Sequence, residues 1–215
     1  GYAWALLEPL GGLLLLSVGF SLLLRSPSLG NSFLLFYATG ILPFQLFQSV
    51  SNAVGSSLKY SKALLQYPSV LWLDVVIART VLYTLTSSLV AVILYTGIIE
   101  VIEYRSALSF GPILLAFFLA ALLGMGIGMV NAVIIGLVPV WQSLWRVLMQ
   151  PLFLASAIIY ILEDLPPMAQ ELLWYNPLSH ITALARTGFY PSYTASHVSL
   201  IFVFSVGLTT TALGL

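Results

Sequence analysis

The stretch SSLKYSKALLQYPSVLWLD, residues 56–74, holds both lysines of the chain, Lys59 and Lys62, and long apolar runs flank it on either side. It is too polar to cross a bilayer and too apolar for a flexible linker. Leu58, Leu64, Leu65, Val70, Leu71 and Leu73 are interleaved with Lys59, Ser61, Lys62 and Gln66. Up to Tyr67 this spacing predicts a short amphipathic helix with leucines on one side and lysines on the other. Pro68 ends it, because proline disfavours helical geometry at the residue before it. Two readings fit: a short cytoplasmic helix on the membrane surface offered to a partner protein, or an inter-helix loop with a positive-inside signature.

Working outward, the flanking runs set the class. The chain is 60% hydrophobic and 7% charged, with a mean hydropathy of +1.05. Soluble domains carry roughly 25% charged residues. A chain of 215 residues has too little interior to hide this much apolar surface from water. It is read as an integral membrane protein. A spanning helix needs roughly 20 apolar residues. Six candidates follow, at 4–24, 33–55, 75–99, 112–137, 146–163 and 198–215, in an all-α bundle forming a single transmembrane domain over 1–215. The chain opens without methionine and closes in an apolar run, so both ends are expected to be clipped. The balance of charge is zero, which gives no reason to expect nucleic acid as a partner. No cysteine is present, which excludes disulfides and thiolate metal sites.

Orientation follows from the cations. With the start of the first helix inside, Lys59, Lys62, Arg79 and Arg146 fall on the cytoplasmic side and Arg25, Arg105 and Arg186 outside. Both termini are then cytoplasmic.

Several polar or aromatic residues lie within the apolar runs. Glu8 sits one turn into the first helix, either as a functional acid or as a structural one snorkelling to the interface. Gln45, Gln48 and Asn52 share one face of the second helix, where they line an aqueous path or bond neighbouring helices. Gly124 and Gly128 form a small-xxx-small pair for close packing. Trp4, Phe20, Phe44, Phe47, Phe153 and Tyr160 are candidate aromatic platforms, with core or lipid packing as the alternative for each. Residues 163–193 form two half-length helices broken at Asn176-Pro177, predicted as a re-entrant or amphipathic extracytoplasmic pair before the last span. Glu171, Trp174, Tyr175, Asn176, Pro177, His180 and Arg186 are its candidate lid residues. His180 is either a proton switch or a hydrogen-bonded structural residue.

No His-Glu metal spacing, no glycine-flanked serine and no G-x-x-x-x-G-K-[ST] loop occurs. A metal site, a membrane enzyme and ATP binding by this chain are therefore not expected.

In order along the chain, Trp4-Ala5-Leu6-Leu7-Glu8-Pro9-Leu10, Thr39-Gly40-Ile41-Leu42-Pro43-Phe44 with Phe47, Leu64 to Pro68, Leu165-Pro166-Pro167, Trp174-Tyr175-Asn176-Pro177-Leu178, His180 and Arg186 resemble the type-2 ABC exporter permeases. The resemblance is nearest to the polysaccharide-export branch, which moves capsule polysaccharide or O-antigen across the bacterial inner membrane. Tyr67 departs mildly, standing where phenylalanine often precedes the proline. The resemblance implies a half-transporter. Two copies would form the pore, and two separate ATPase subunits, holding ATP and Mg, would drive it. Lys59, Ser61, Lys62, Leu64, Leu65, Gln66, Tyr67 and Pro68 would form the segment that couples to the ATPase. The substrate implied is a lipid-linked polysaccharide, with a periplasmic co-polymerase or outer-membrane export protein as a further partner. A permease of the same family moving teichoic acid, lipid or a drug is the alternative.

Overall fold

The computed structural model describes residues 2–215. Nine α-helices follow in order among them: α1 (Tyr2–Leu23), α2 (Phe33–Gly55), α3 (Ser57–Tyr60), α4 (Trp72–Val101), α5 (Phe110–Leu137), α6 (Trp141–Ala155), α7 (Pro167–Trp174), α8 (Pro177–Phe189) and α9 (Leu200–Gly214). Two 3₁₀ turns, Leu64–Gln66 and Leu162–Asp164, interrupt the connections. No strand occurs among the described residues.

Local chemistry sets the helix starts. Ser32 Oγ accepts from the Leu35 N–H at 3.4 Å to open α2, and Ser199 Oγ accepts from the Phe202 N–H at 3.3 Å to open α9. The Asp74 carboxylate reaches back to the Leu71 N–H at 2.9 Å, fixing the first turn of α4. Asn176 Oδ1 accepts from the Leu178 N–H at 3.1 Å, with Pro177 at the first helical position of α8.

Four helices, α1, α2, α4 and α5, are long and apolar enough to cross a membrane. α2 is central and packs along α5. Gly124 and Gly128 face α2, where a Cβ on Gly128 would lie 2.7 Å from Val54 Cβ. Gly126 faces α9 instead, so α5 is clasped on both sides. α1 and α4 are one-sided. Leu7, Leu14, Leu15, Val18 and Leu22 on α1, and Leu82, Leu85, Leu89, Val92 and Ile93 on α4, stay exposed, as faces turned to hydrocarbon require.

Two expectations change. The fifth predicted span, 146–163, is not one helix: α6 is 15 residues long and ends at Ala155. Residues 156–161 leave the helix, with Ala157 in the left-handed region at φ 54°. The last predicted run, 198–215, holds one helix, α9. The amphipathic helix predicted up to Tyr67 is broken into α3 and the turn Leu64–Gln66. Leu64 and Tyr67 are exposed and Leu65 half-buried, so its leucines find little to pack on within this chain. Short helices of this kind form only where tertiary packing supports them.

The half-helices appear at the predicted positions and differ in exposure, α8 fitting the re-entrant alternative and α7 the surface one. α8 buries ten of its 13 residues against α2, α5 and α9. It is inserted into the bundle, whereas α7 lies at the surface with Met168, Leu172 and Tyr175 exposed.

Candidate functional site

The polar face of α2 sits between two clefts. The first, about 440 Å³, lies between α1, α2 and α4 and is lined by Trp4, Glu8, Gln45, Gln48, Ser49, Tyr83, Thr86 and Ser87. The second, about 520 Å³, lies between α2 and α6 and is lined by Phe44, Gln48, Arg146, Met149, Gln150 and Phe153. Gln48 borders both. A polar band thus wraps α2 from Glu8 to Arg146. Polar groups between membrane helices persist only where protein or water meets them.

The sequence candidates divide accordingly. Trp4, Glu8, Gln45, Gln48, Phe44 and Phe153 come together around the two clefts. The Phe44 and Phe153 rings meet edge to face at 5.3 Å. Asn52 is exposed and lines neither cleft. Phe47 is fully buried, and Phe20 packs on Tyr37 at 5.5 Å, nearer the other end of α1. Tyr160 points its hydroxyl to the Leu154 carbonyl at 2.8 Å. None of these three lines either cleft. Tyr83 and the hydroxyls of α4 join the first cleft, and Arg146 and Gln150 the second. Sequence reasoning left all of them out of the path. One signal for the second cleft was present: Gln142, Arg146 and Gln150 recur at four-residue spacing on one face of α6.

At the far end of the bundle, α8 holds the irregular segment 156–161. Arg186 is buried, and its Nη1 and Nη2 donate to the Tyr160 and Ile158 carbonyls at 2.8 and 2.7 Å. Its guanidinium lies 4.3 Å over the Phe36 ring. Burial pulls its pKa down to about 10, so it remains charged at neutral pH. Thr182 Oγ1 donates to the Ser156 carbonyl at 2.8 Å, and Asn176 Nδ2 to the Ala155 carbonyl at 3.0 Å. Gly40 lets the segment approach, since a Cβ there would meet the Ile158 backbone at 3.1 Å. A chain that leaves the helix inside a bundle must have its carbonyls met in this way.

His180 is also internal. Its Nδ1 accepts from the Ser199 N–H at 3.2 Å. Its Nε2, 2.7 Å from the Trp174 carbonyl, therefore carries the proton, which fixes a neutral tautomer. Burial lowers its pKa, and the Trp174 carbonyl opposes that shift. Trp174 stacks on Phe202 at 5.0 Å and meets Tyr175 edge to face at 5.5 Å. Glu171 and Tyr175 are exposed. Of the lid candidates, Asn176, Pro177, His180 and Arg186 thus belong to the internal architecture and Glu171 and Tyr175 to the surface.

The lysine segment lies at the opposite end. Lys59, Lys62, Leu64, Gln66, Tyr67 and Pro68 are exposed, and Ser61 is buried. Lys59 Nζ donates to Gln142 Oε1 at 3.5 Å.

A bundle with four helices long and apolar enough to cross a membrane, a polar band around α2 and an exposed cationic corner at one end has the build of a polytopic membrane protein. Residues 1–190 match the ABC-2 type transporter family, and the chain belongs to it. It is 32% identical to the polysialic acid transport protein KpsM of Escherichia coli, over all of this chain and 83% of that protein. It is 24% identical to the capsule polysaccharide export inner-membrane protein BexB of Haemophilus influenzae, over all of this chain and 81% of BexB. It is 22% identical to the capsule polysaccharide export inner-membrane protein CtrC of Neisseria meningitidis serogroup B, over 89% of this chain and 72% of CtrC.

Proposed function

We propose that this chain is the membrane permease subunit of an ATP-driven exporter moving a lipid-linked capsule polysaccharide across the bacterial inner membrane. The observation that carries the reading is its similarity, over nearly all its length, to relatives named for polysialic acid transport and capsule polysaccharide export. The two clefts support it. A polysaccharide carries hydroxyls and flat sugar faces. Gln45, Gln48, Ser49 and the α4 hydroxyls supply hydrogen-bond partners, and Trp4, Phe44 and Phe153 supply rings.

The chain acts as a transport subunit without its own ATP site, paired with a second copy and two ATPase subunits. The exposed segment 59–68 docks on the ATPase, with Leu64 supplying apolar contact and the lysines orientation. α6 together with 156–164 makes the fifth crossing and α9 the sixth, which leaves both ends of the chain cytoplasmic. A periplasmic or outer-membrane export partner receives the polymer.

The test is purification of the full-length protein from its native membrane, followed by mass spectrometry. A co-purifying ATP-binding subunit and a lipid-terminated polysaccharide are expected. Recovery of a teichoic acid, lipid or drug in its place would move the protein to the other exporters of the family. Sidedness is read separately by impermeant maleimide. Cysteine placed at Glu171 labels from the periplasm and cysteine at the exposed Lys62 labels only from the cytoplasm; the reverse pattern inverts the topology.

A further inference from the structure

Beyond Pro9, α1 carries only two polar side chains, Ser17 and Ser21, one turn apart on one face. Both line a cavity of about 710 Å³ at the end of the bundle away from the lysines. The start of α2, the α4–α5 connection and residues 190–192 complete its walls. Ser17 precedes the α1 end at Leu23 by about 9 Å along the helix axis. The cavity therefore reaches below the loops, down a helix whose Leu14, Val18 and Leu22 are exposed as faces turned to hydrocarbon are. A site for a soluble ligand has no need of a wall that faces hydrocarbon. A lipid head, with its chains below it, does.

Tyr190 forms part of the wall. It is 7% exposed, and its hydroxyl has no partner among the described residues. A buried hydroxyl is costly to leave unpaired. Gly30, at φ 69°, lies flat on its ring, where a Cβ would come within 2.6 Å of Tyr190 Cε1. The hydroxyl of the neighbouring Tyr104 is already committed to the Phe189 carbonyl. Glu103 and Arg105 are the charged side chains lining the cavity among the described residues. They approach each other only to 3.8 Å with their side chains 81% and 89% exposed, so neither holds the other firmly. One acid and one base at the rim, with hydroxyls below them, suit a head that carries one charge of each sign.

We propose that this cavity binds the head of a zwitterionic phospholipid, one whose phosphodiester carries a primary ammonium. The phosphate accepts from Arg105 and from the Tyr190 hydroxyl, and the ammonium donates to Glu103. Ser17 donates to an ester carbonyl, and the acyl chains run along Leu14, Val18 and Leu22. The lipid ties this end of α1, a helix with few buried residues, to the α4–α5 connection. The site requires only that α1 cross the membrane. It is independent of the cargo, so its failure leaves the export reading standing.

The test is native mass spectrometry of the full-length protein in detergent, titrated with dioleoyl phosphatidylethanolamine or dioleoyl phosphatidylglycerol. Wild type should hold the ethanolamine lipid about fivefold more tightly, the margin that one exposed ion pair gives. Glu103→Gln should bring the two lipids within about twofold of each other. Arg105→Gln should weaken both about tenfold, the loss of a charge-assisted hydrogen bond. Tyr190→Phe should weaken both several-fold, yet leave the lipid-free melting temperature at or above that of wild type, because the hydroxyl it removes has no partner without lipid. Ser17→Leu fills the cavity beside α1 and should abolish retention. Wild type that holds the two lipids equally, or holds neither, overturns the proposal. Retention unchanged in Arg105→Gln and Tyr190→Phe makes the lipid merely annular and also overturns it. A sialic acid oligomer that wild type binds in place of the lipid assigns the cavity to the cargo and overturns it as well.

Discussion

The lysine-bearing segment 57–67 and the region 156–189 are both built from short helical pieces between long apolar helices, and they are held in opposite ways. The first exposes Tyr60, Leu64 and Tyr67, and of its two lysines Lys59 donates to Gln142. The second places α8 inside the bundle and meets the carbonyls of Ala155, Ser156, Ile158 and Tyr160 with Asn176, Thr182 and Arg186. Cations mark both regions, so charge alone does not separate a docking surface from an internal clamp. What separates them is whether backbone groups nearby lack partners of their own. Where the chain leaves the helix inside the bundle, an arginine is drawn inward; where it leaves the bundle altogether, the lysines stay in water.

The largest effect expected from this contrast is at Arg186. Arg186→Leu strips the donors from two buried carbonyls and should cost on the order of 2–5 kcal/mol of stability. Little folded protein should survive gel filtration after mild heating. Arg186→Lys should fall between, since one ammonium reaches two diverging carbonyls poorly. A leucine variant melting within about 2 °C of wild type would break the comparison, because the clamp would then hold nothing.

The second expectation concerns the other region. Leu64→Asp with Leu65→Asp should leave folding and membrane insertion unchanged, abolish export and free ATP hydrolysis from transport. Loss of folded protein equal to that of Arg186→Leu would make the lysine segment structural too.

Much of this fold was legible because membrane helices announce themselves by length and composition. α2 begins and ends at the predicted 33 and 55, and α4 and α5 extend the predicted spans by only a few residues. The breaks at Pro166-Pro167 and Asn176-Pro177 placed α7 and α8, since proline opens helices and unsettles the residue before it. Exposure was harder to read. α8 contains His180, Thr182 and Arg186, and its sequence left the re-entrant and the amphipathic surface placement both open. The competing fact was non-local: residues 156–161 stop being helical, and Val147 to Ile161 is apolar enough to hide that stop. For the clefts, the amides of α2 were visible as a stripe. The contribution of α4 and α6 was not, because which face of each meets α2 is decided by packing across the bundle.

The third expectation sharpens the role of the polar band. Gln45→Leu with Gln48→Leu should reduce transport of long polymers several-fold while leaving the folded protein intact. Gln45 and Gln48 are only half-buried. An equal loss of folded protein would move them from the path to a structural interface.

The smallest effect expected is a pH dependence from His180. The imidazole is neutral in the fold, with Nδ1 accepting from Ser199 and Nε2 donating to Trp174. Burial lowers its pKa below the ordinary 6.5. The unfolded chain therefore takes up a proton at a higher pH than the folded one. Stability is at its full value above about pH 6.5 and declines as pH falls from there toward the folded-state value, below which it levels off. Protonation would turn Nδ1 into a donor facing the Ser199 N–H, so the start of α9 loses its contact with α8 as the charge enters. His180→Gln should be less stable than wild type at pH 7.5, because one amide cannot reproduce both contacts. Its melting temperature should nevertheless fall less between pH 7.5 and pH 5. Thermal melts across that range check the slope. A slope as steep in the glutamine variant as in wild type would place the pH sensitivity elsewhere and remove the role given to His180.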